Sequence, residues 1–255
     1  ELYTNNLLAE YSRRHGAYGG IAYHYVADTY IALFSQFITC GVWEGVYILD
    51  LLHRNTSNVQ PDILHADTHG QSTPIFALAH LLGIDLRPRI RRWQDLILFR
   101  PDAATTYEHI DALFGVPIRW ELIEKHWRDL MQIALSVQQR RLLPSTLLRK
   151  LGYNSRKNRL YKAFRELGRV IRTMFLLRFI SDLSMRRRIN EETNKVEAYH
   201  DFTDWLGFGS AGVISHNAPE EHQKRIRYSD LVANAVMLQN VVDMTRLLPQ
   251  LAKEG

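Results

Sequence analysis

The stretch ILHADTHGQSTPIFALAHLLGIDLRPRIR, residues 63–91, decides the fold of this chain. A short apolar run that ends at Asp67 predicts a strand over 62–67, because apolar runs bounded by turn residues are typical of strands. Ser72, followed by Pro74 in the first turn, predicts a helix over 72–82. Gly83 ends that helix, and residues 84–93 are predicted to return as a second extended segment. The stretch therefore predicts a strand, a helix and a strand, with Asp67 at the end of the first strand.

His65, Asp67 and His69 form an H-x-D-x-H pattern at that strand end. If the strand continued, the three side chains would share one face and converge on one transition-metal ion. The alternative is that Asp67 alone binds metal, since open α/β sheets place ligand-binding groups at the carboxyl ends of their strands. A zinc hydrolase would need further ligands, and none of the other nine histidines offers a comparable cluster. Spacing alone leaves this choice open.

Composition indicates a globular protein with an uneven distribution of charge. The chain has 255 residues, 46% of them hydrophobic, and its only cysteine is Cys40, which excludes an intramolecular disulfide and a thiolate zinc cluster. Because no apolar run approaches the roughly 20 residues of a membrane span, we expect no membrane partner and a cytoplasmic location. Residues 140–190 hold 15 Lys and Arg against two acids, whereas the remainder holds 17 basic and 25 acidic residues. Such a basic segment is typical of contact with nucleic-acid phosphates, and a solvated helical face is the alternative.

The rest of the chain predicts an α/β fold. Residues 21–40 are rich in β-branched and aromatic residues, which predicts two strands that meet near 27–30. Residues 42–55 have a helical period, and from about 101 to 189 only helical periods are found, with breaks at Pro144 and Gly152. Two further helices are predicted over 194–206 and 226–247, with a Gly- and Ser-rich loop between them. This order indicates a mixed sheet with helices packed on it.

Six blocks of sequence carry a resemblance to a known family. They are ADTHGQS (66–72), HLLGIDLRPRIR (80–91), HWRDL (126–130), FRELGRVIRTMFLLRFISD (164–182), NKVEAYH (194–200) and YSDLVANAVMLQN (228–240). In this order and spacing they resemble the catalytic region of the Tn-three-type replicative transposases, members of the DDE superfamily. The resemblance implies a ribonuclease-H-like mixed sheet with flanking helices, interrupted by a large all-helical insertion. Residues 1–100 would be the first part of the core, 101–190 the basic insertion and 191–255 the closing helices.

The resemblance also implies the catalytic residues. Asp67 would be the second DDE aspartate and Glu197 the glutamate, and together they would hold two Mg²⁺ ions, with Mn²⁺ as an alternative. His69 is expected to approach the scissile phosphate, and His200, on the helical face of Glu197, to support the site. The alternatives are a turn or capping aspartate at 67 and a solvated helix glutamate at 197. Since the family's first aspartate lies in an Asp-Gly strand upstream, we expect the first core strand to be missing and this fragment alone to be inactive.

Two rows of arginines are predicted to contact DNA. Arg87, Arg89 and Arg91 alternate along the second predicted strand, where a salt-bridged sheet edge is the competing interpretation. Arg165, Arg169 and Arg172 follow the i, i+4, i+7 spacing of one helical stripe.

The function implied by the resemblance is metal-dependent cleavage of DNA 3′ ends and strand transfer in replicative transposition. Its partners would be transposon-end and target DNA, the active complex a homodimer, and the location the bacterial cytoplasm, at the nucleoid when bound to DNA. The alternative is a catalytically silent nucleic-acid-binding or assembly module derived from a transposase. Asp28 and Asp50 are predicted to have structural or supporting roles.

Overall fold

The structure is a computed structural model that describes residues 10–12, 17–39, 43–55, 58, 60–92, 94, 96–153, 157–206 and 219–254. The chain forms two compact units. The terminal unit consists of Glu1–Trp43 together with Asn194–Gly255, and the central unit of Glu44–Thr193. In the described ranges no helix is long and apolar enough to cross a membrane.

The terminal unit contains an antiparallel sheet of three strands. These are β1 (Glu10–Ser12), β2 (Ala17–Val26) and β3 (Ala32–Thr39), in the order β1-β2-β3. The predicted meeting point of two strands is confirmed, because the chain turns over residues 27–31, where Tyr30 adopts a φ of 68°. Helix α8 (Pro219–Glu254) packs on β3 and is longer than the sequence predicted. The loop expected before it lies outside the described residues.

Side-chain amides of α8 pair with the free edge of β3. Asn234 accepts a hydrogen bond from the Ala32 N–H and donates one to the Ala32 carbonyl, both at 3.0 Å. Three helical turns earlier, Gln223 accepts from the Phe37 N–H at 3.2 Å and donates to the Ser35 carbonyl at 2.9 Å. An unpaired strand edge presents such backbone groups to any other chain, so α8 satisfies them within the unit.

The central unit contains the strand, helix and strand predicted for residues 63–91. Strands β4 (Ile63–Ala66) and β5 (Asp85–Pro88) are parallel neighbours, and α2 (Thr73–Leu81) connects them. Helix α2 has Pro74 in its first turn and ends before Gly83, whose φ of 78° favours glycine. Residues 74–79 of α2 are all buried, which makes it the core of the unit. The second extended segment ends earlier than predicted, at Pro88.

Helix α2 packs against a long helix of the basic segment. The remaining helices are α1 (Leu51–Arg54), α3 (Trp120–Lys125), α4 (Trp127–Gln138), α5 (Pro144–Gly152), α6 (Arg159–Ser181) and α7 (Leu183–Leu206). The rings of Phe76 on α2 and Phe175 on α6 lie 5.4 Å apart. At the crossing stands Gly168, where an added Cβ would lie 1.7 Å from the Thr73 carbonyl oxygen. The backbones approach this closely only because residue 168 has no side chain.

Three sequence predictions about local elements were wrong. Residues 42–55 form a 3-10 turn at Glu44–Tyr47 and the single-turn α1 rather than one helix. The region predicted to be only helical contains β7 (Phe114–Pro117), which pairs in parallel with β6 (Leu98–Arg100). Helix α7 begins at Leu183, well before the predicted 194. The chain is a mixed α/β protein, as predicted, while the ribonuclease-H-like topology, the insertion and its boundaries stay predictions.

Candidate metal centre

Asp67 lies at the carboxyl end of β4 and starts a 3-10 turn, Thr68–Gln71. Its backbone is still extended, with φ −69° and ψ −171°. Its Oδ1 accepts a hydrogen bond from the His69 N–H at 3.0 Å, and its carbonyl accepts one from the Gly70 N–H at 3.0 Å. Asp67 therefore does cap a turn, as the simpler interpretation held. This role uses Oδ1, while Oδ2 points to a neighbouring cluster.

Glu44, Asp67 and His69 bring three potential ligand atoms within 4.8 Å of one another. His69 Nδ1 lies 3.6 Å from Asp67 Oδ2 and 3.8 Å from Glu44 Oε2. These distances are too long for hydrogen bonds, and in the described part of the chain Nδ1 has no hydrogen-bond partner although solvent does not reach it. The two carboxylates around a common point supply the oxygen ligands that Mg²⁺ and Mn²⁺ prefer, and the imidazole adds a nitrogen of the kind that transition metals accept. The residues present fit a divalent cation.

The turn that carries Asp67 and His69 is fixed by close packing. A Cβ at Gly70 would lie 2.8 Å from Ala66 Cβ and 3.0 Å from Pro88 Cβ, so the turn lies directly against both strands. Gln71 Nε2 donates to the Arg89 carbonyl at 3.1 Å, and the Arg89 N–H donates to the Ala66 carbonyl at 2.8 Å. The parallel strand pair therefore sets the position of the two candidate ligands.

His65 does not join this cluster. The strand ends at Ala66 and the chain enters a 3-10 turn, so the two-residue alternation that would have aligned all three side chains stops after His65. His65 is half-buried, and burial lowers the pKa of its imidazole, a shift that Glu192 opposes and Arg87 and Arg188 reinforce. The pattern thus contributes Asp67 and His69 to the candidate site, and His65 lies outside it.

Glu197 lies on the terminal-unit part of α7, on an exposed face. Two residues later, the buried Tyr199 donates a hydrogen bond to Asp230 of α8 at 2.6 Å, and His24 of β2 lies 2.9 Å from the same Asp230 oxygen. Burial alone would raise the pKa of Asp230, but the adjacent His24, Ser35 and Tyr199 groups hold it below its usual value. This network fixes the helix that carries Glu197.

His200 packs beside that network. Its ring lies 5.5 Å from the ring of His24, and Lys195, on the preceding turn, donates to the Asp28 carbonyl at 3.2 Å. Desolvation lowers the pKa of His200, and the neighbouring His24 lowers it further. A neutral imidazole is therefore the favoured form of His200 near pH 7. Its supporting role in catalysis stays a prediction.

Comparison with known proteins identifies the family. A family model described as "Tn3 transposase DDE domain" matches residues 1–255. The chain belongs to this family. It is 32% identical over 237 residues to the transposase for transposon Tn501 of Pseudomonas aeruginosa and 30% identical over 239 residues to that for Tn1546 of Enterococcus faecium. It is also 32% identical over 237 residues to the transposase for Tn21 of Escherichia coli. Each match covers 93% of this chain and 24% of the relative, so the chain spans about a quarter of the length of these relatives.

The first row of predicted DNA-binding arginines is not one strand face in this Tn3 transposase DDE domain. Only Arg87 lies in β5, and its Nε and Nη2 bind Asp85 Oδ2 at 2.9 and 2.8 Å. Arg89 and Arg91 lie beyond the last residue of the strand, Pro88, although the Arg89 N–H still bonds to the Ala66 carbonyl. Arg91 is exposed. Their contact with DNA stays a prediction.

The second row lies on α6, where its members are partly buried. Arg169 binds the fully buried Glu166 at 2.8 Å and lies 4.7 Å from the centre of the Phe99 ring. Arg119 binds the same carboxylate at 2.9 Å. In the described residues the Nε atoms of Arg165 and Arg172 are buried without a hydrogen-bond partner, and burial lowers the pKa of Arg172. Arg169 thus has a structural role, and DNA contact by this row stays a prediction.

Glu44 is the candidate ligand that the sequence did not reveal. It begins a 3-10 turn, follows no motif and stands 23 positions before Asp67. Tertiary packing brings that turn to the end of β4, and no local pattern records such a contact. Its neighbour Asp50, by contrast, was expected to be structural, and it accepts hydrogen bonds from the Ser145 N–H and Oγ at 2.9 and 2.7 Å. These bonds attach the start of α5 to the segment that carries Glu44.

Proposed function

We propose that this chain is the catalytic region of a DNA transposase, with Asp67 and Glu197 as two of the DDE carboxylates. The convergence of Glu44 and His69 on Asp67, at a strand end and within the motif that carries the family resemblance, is the observation that supports the proposal best. Open α/β sheets place their ligand-binding groups at such strand ends. The bacterial cytoplasm, where the DNA is found, is the proposed location.

Each residue of the site has a proposed task. Asp67 Oδ2 and the Glu44 carboxylate supply oxygen ligands, which hard divalent cations prefer, and His69 Nδ1 supplies a nitrogen. When bound, a pair of such cations supplies the positive charge that stabilises the attacking and leaving oxygens of an in-line phosphoryl transfer. Glu197 is proposed to supply a further carboxylate, held by the Tyr199–Asp230 hydrogen bond two residues away. Mg²⁺ is the proposed ion, with Mn²⁺ as a substitute.

The proposed reaction is cleavage at the 3′ ends of a transposon, followed by attack of the freed 3′-hydroxyl on target DNA. Both steps are phosphoryl transfers between oxygens, so the site has to position the nucleophile and stabilise charge rather than form a covalent enzyme intermediate. The proposed partners are transposon-end and target DNA, and the proposed active complex is a homodimer. The local net charge of residues 140–190, 15 basic residues against two acids, supports DNA as the partner.

Strand transfer of a pre-nicked transposon end by the full transposase polypeptide tests the proposal. Asp67→Asn and Glu197→Gln are expected to abolish joining in Mg²⁺ and in Mn²⁺ while DNA binding is preserved. Glu124→Gln serves as the control, because Glu124 is an exposed carboxylate on α3 and its substitution makes the same change of charge. Retained joining by either site variant would refute the catalytic assignment. Binding with a steep salt dependence but no joining by the unaltered protein would favour the binding or assembly module.

A further inference from the structure

Where α6 passes into α7, the central unit has an open cleft with a volume of about 270 Å³. Its lining residues are Ile90, Phe179, Leu183, Arg186, Arg187 and Asn190. The four contributed by α7 follow the spacing i, i+3, i+4, i+7, so they form one face of its first two turns. Phe179 belongs to the end of α6, and Ile90 to the segment that follows β5.

The cleft combines an apolar floor with a cationic rim. Of its apolar lining residues, Phe179 is 5% exposed and Leu183 is 51% exposed. Arg187 and Asn190 are exposed on the rim, and Arg186 is half-buried. A pocket of this kind suits a ligand that has a flat apolar body and an anionic group next to it.

The two arginines of the cleft, Arg186 and Arg187, are available to bind an anion. Among the residues that the structure describes, neither guanidinium has a carboxylate within 4.0 Å, and the buried Nε of Arg186 has no hydrogen-bond partner. Asp182, four positions before Arg186, accepts hydrogen bonds from Ser184 Oγ at 2.7 Å and from the Met185 N–H at 3.0 Å. These bonds lower the pKa of the Asp182 carboxyl and place it at the start of α7. By contrast, Arg87 and Arg178 nearby are both paired with Asp85.

We propose that this cleft binds one unpaired nucleotide of a DNA strand, with the base on the apolar floor and the phosphate at Arg186 and Arg187. In a duplex both faces of a base are stacked, so only an unpaired base presents a face to Ile90, Phe179 and Leu183. The Asn190 amide has a donor and an acceptor for the edge of that base. This assignment rests on the proposed function in DNA transposition and adds to it a subsite that is separate from the carboxylates.

Fluorescence anisotropy in EDTA tests this subsite apart from catalysis. The 255-residue chain is titrated with a labelled duplex that ends in a short single-stranded extension, with the same duplex made blunt, and with an extension whose nucleotides are abasic. We expect the intact extension to bind at least about fivefold more tightly than either of the others, because a base on an apolar platform adds that much to affinity.

The variants Arg187→Ala and Asn190→Leu replace exposed side chains, so folding is expected to be preserved. Asn190→Leu is expected to reduce the preference over the abasic extension to less than about twofold. Arg187→Ala, which removes a phosphate contact, is expected to weaken binding of the intact and the abasic extension alike, relative to the blunt duplex. Arg128→Ala makes the same change of charge as Arg187→Ala on the exposed surface of α4, and it should retain the full preference. Thermal unfolding of each variant provides the check on folding.

The outcomes separate the subsite from the proposed function. If the unaltered chain binds the intact, abasic and blunt DNA equally, the subsite is refuted while DNA binding stands. The same holds if Asn190→Leu keeps the preference over the abasic extension, if Arg187→Ala binds both extensions as the unaltered chain does, or if polyglutamate at equal charge displaces the extension as well as unlabelled DNA does. If the unaltered chain binds none of the DNAs, the proposed function fails, and the subsite fails with it.

Discussion

Replacement of Gly168 by alanine is expected to separate α6 from α2, the helix that follows the turn carrying Asp67 and His69. The added Cβ would lie 1.7 Å from the Thr73 carbonyl oxygen, and 2.4 and 2.9 Å from the Thr73 carbonyl carbon and Cα. All three atoms belong to the backbone of α2, so no side-chain rotation relieves the clash. Because ordinary contact needs about 3.4 Å, α6 and α2 have to move apart by about 1.7 Å at this point.

This displacement has a calculable cost. Overpacking of a core costs about 1–3 kcal/mol, and the separation of Phe76 from Phe175 loses dispersion contacts in addition. Alanine is favoured over glycine within a helix by about 1 kcal/mol, which offsets part of this loss. We expect the free energy of unfolding to fall by about 2–3 kcal/mol. Thr73 follows the turn that carries Asp67 and His69, so the affinity for Mn²⁺ should fall as well.

Urea unfolding, followed by circular dichroism, measures the effect. Gly152→Ala is the matched control, because residue 152 ends α5, has no atom within 4 Å of an added Cβ and is exposed. It should be neutral or stabilise the protein by up to about 1 kcal/mol. If Gly168→Ala unfolded at the same urea concentration as Gly152→Ala, with an unchanged m value, the close approach of α6 to α2 would be refuted.

Three further predictions concern buried and paired charges. Burial raises the pKa of Asp50, so the folded state binds its proton more tightly and stability decreases as the pH rises above about 4. Asp50→Asn should remove this decrease. Thermal scans from about pH 4 to 7 in which the unfolding temperature has the same pH dependence in both proteins would contradict the prediction. Arg169→Ala leaves the buried Glu166 with Arg119 as its remaining ion-pair partner among the described residues. It should cost about 3 kcal/mol in urea unfolding, against less than about 0.5 kcal/mol for Arg128→Ala, and equal effects would assign Arg169 to the solvated surface. The pKa of Asp111 is lowered to about 2, chiefly by its hydrogen bond with Arg100, so the stability it contributes is present above about pH 4 and is lost as the pH falls through 2. Asp111→Asn should weaken this acid sensitivity. An unaltered midpoint of acid unfolding would exclude a stabilising role for Asp111.

The parts of the fold predicted from sequence are those with a local physical cause. The β4–α2–β5 unit was predicted because Pro74 and Gly83 fix where α2 begins and ends. The turn between β2 and β3 followed from strand-forming residues on both sides of it. In each case residues close together in sequence determine the backbone conformation, so a short stretch of sequence is enough to predict the element.

The parts that were missed depend on tertiary contacts. Strands β6 and β7 have three and four residues, and their pairing joins segments that are far apart in sequence. The continuity of α7 was not predicted, because residues 190–193, NEET, are all polar and separate the helical periods that end near 189 from those that begin near 194. The candidate site likewise has a part set by local sequence and a part set by tertiary contacts. Asp67 and His69 lie within one motif, whereas Glu44 reaches them through packing alone.

Binding of Mn²⁺ to the 255-residue chain, followed by electron paramagnetic resonance, tests the metal centre most directly. The account predicts that Glu44→Gln and Asp67→Asn each weaken binding at least about tenfold, since even residues that only orient a ligand contribute that much. Glu124→Gln, with the same change of charge on α3, should bind as the unaltered chain does. Equal affinity in Glu44→Gln, Asp67→Asn and Glu124→Gln would contradict the assignment of Glu44, Asp67 and His69 as a metal centre.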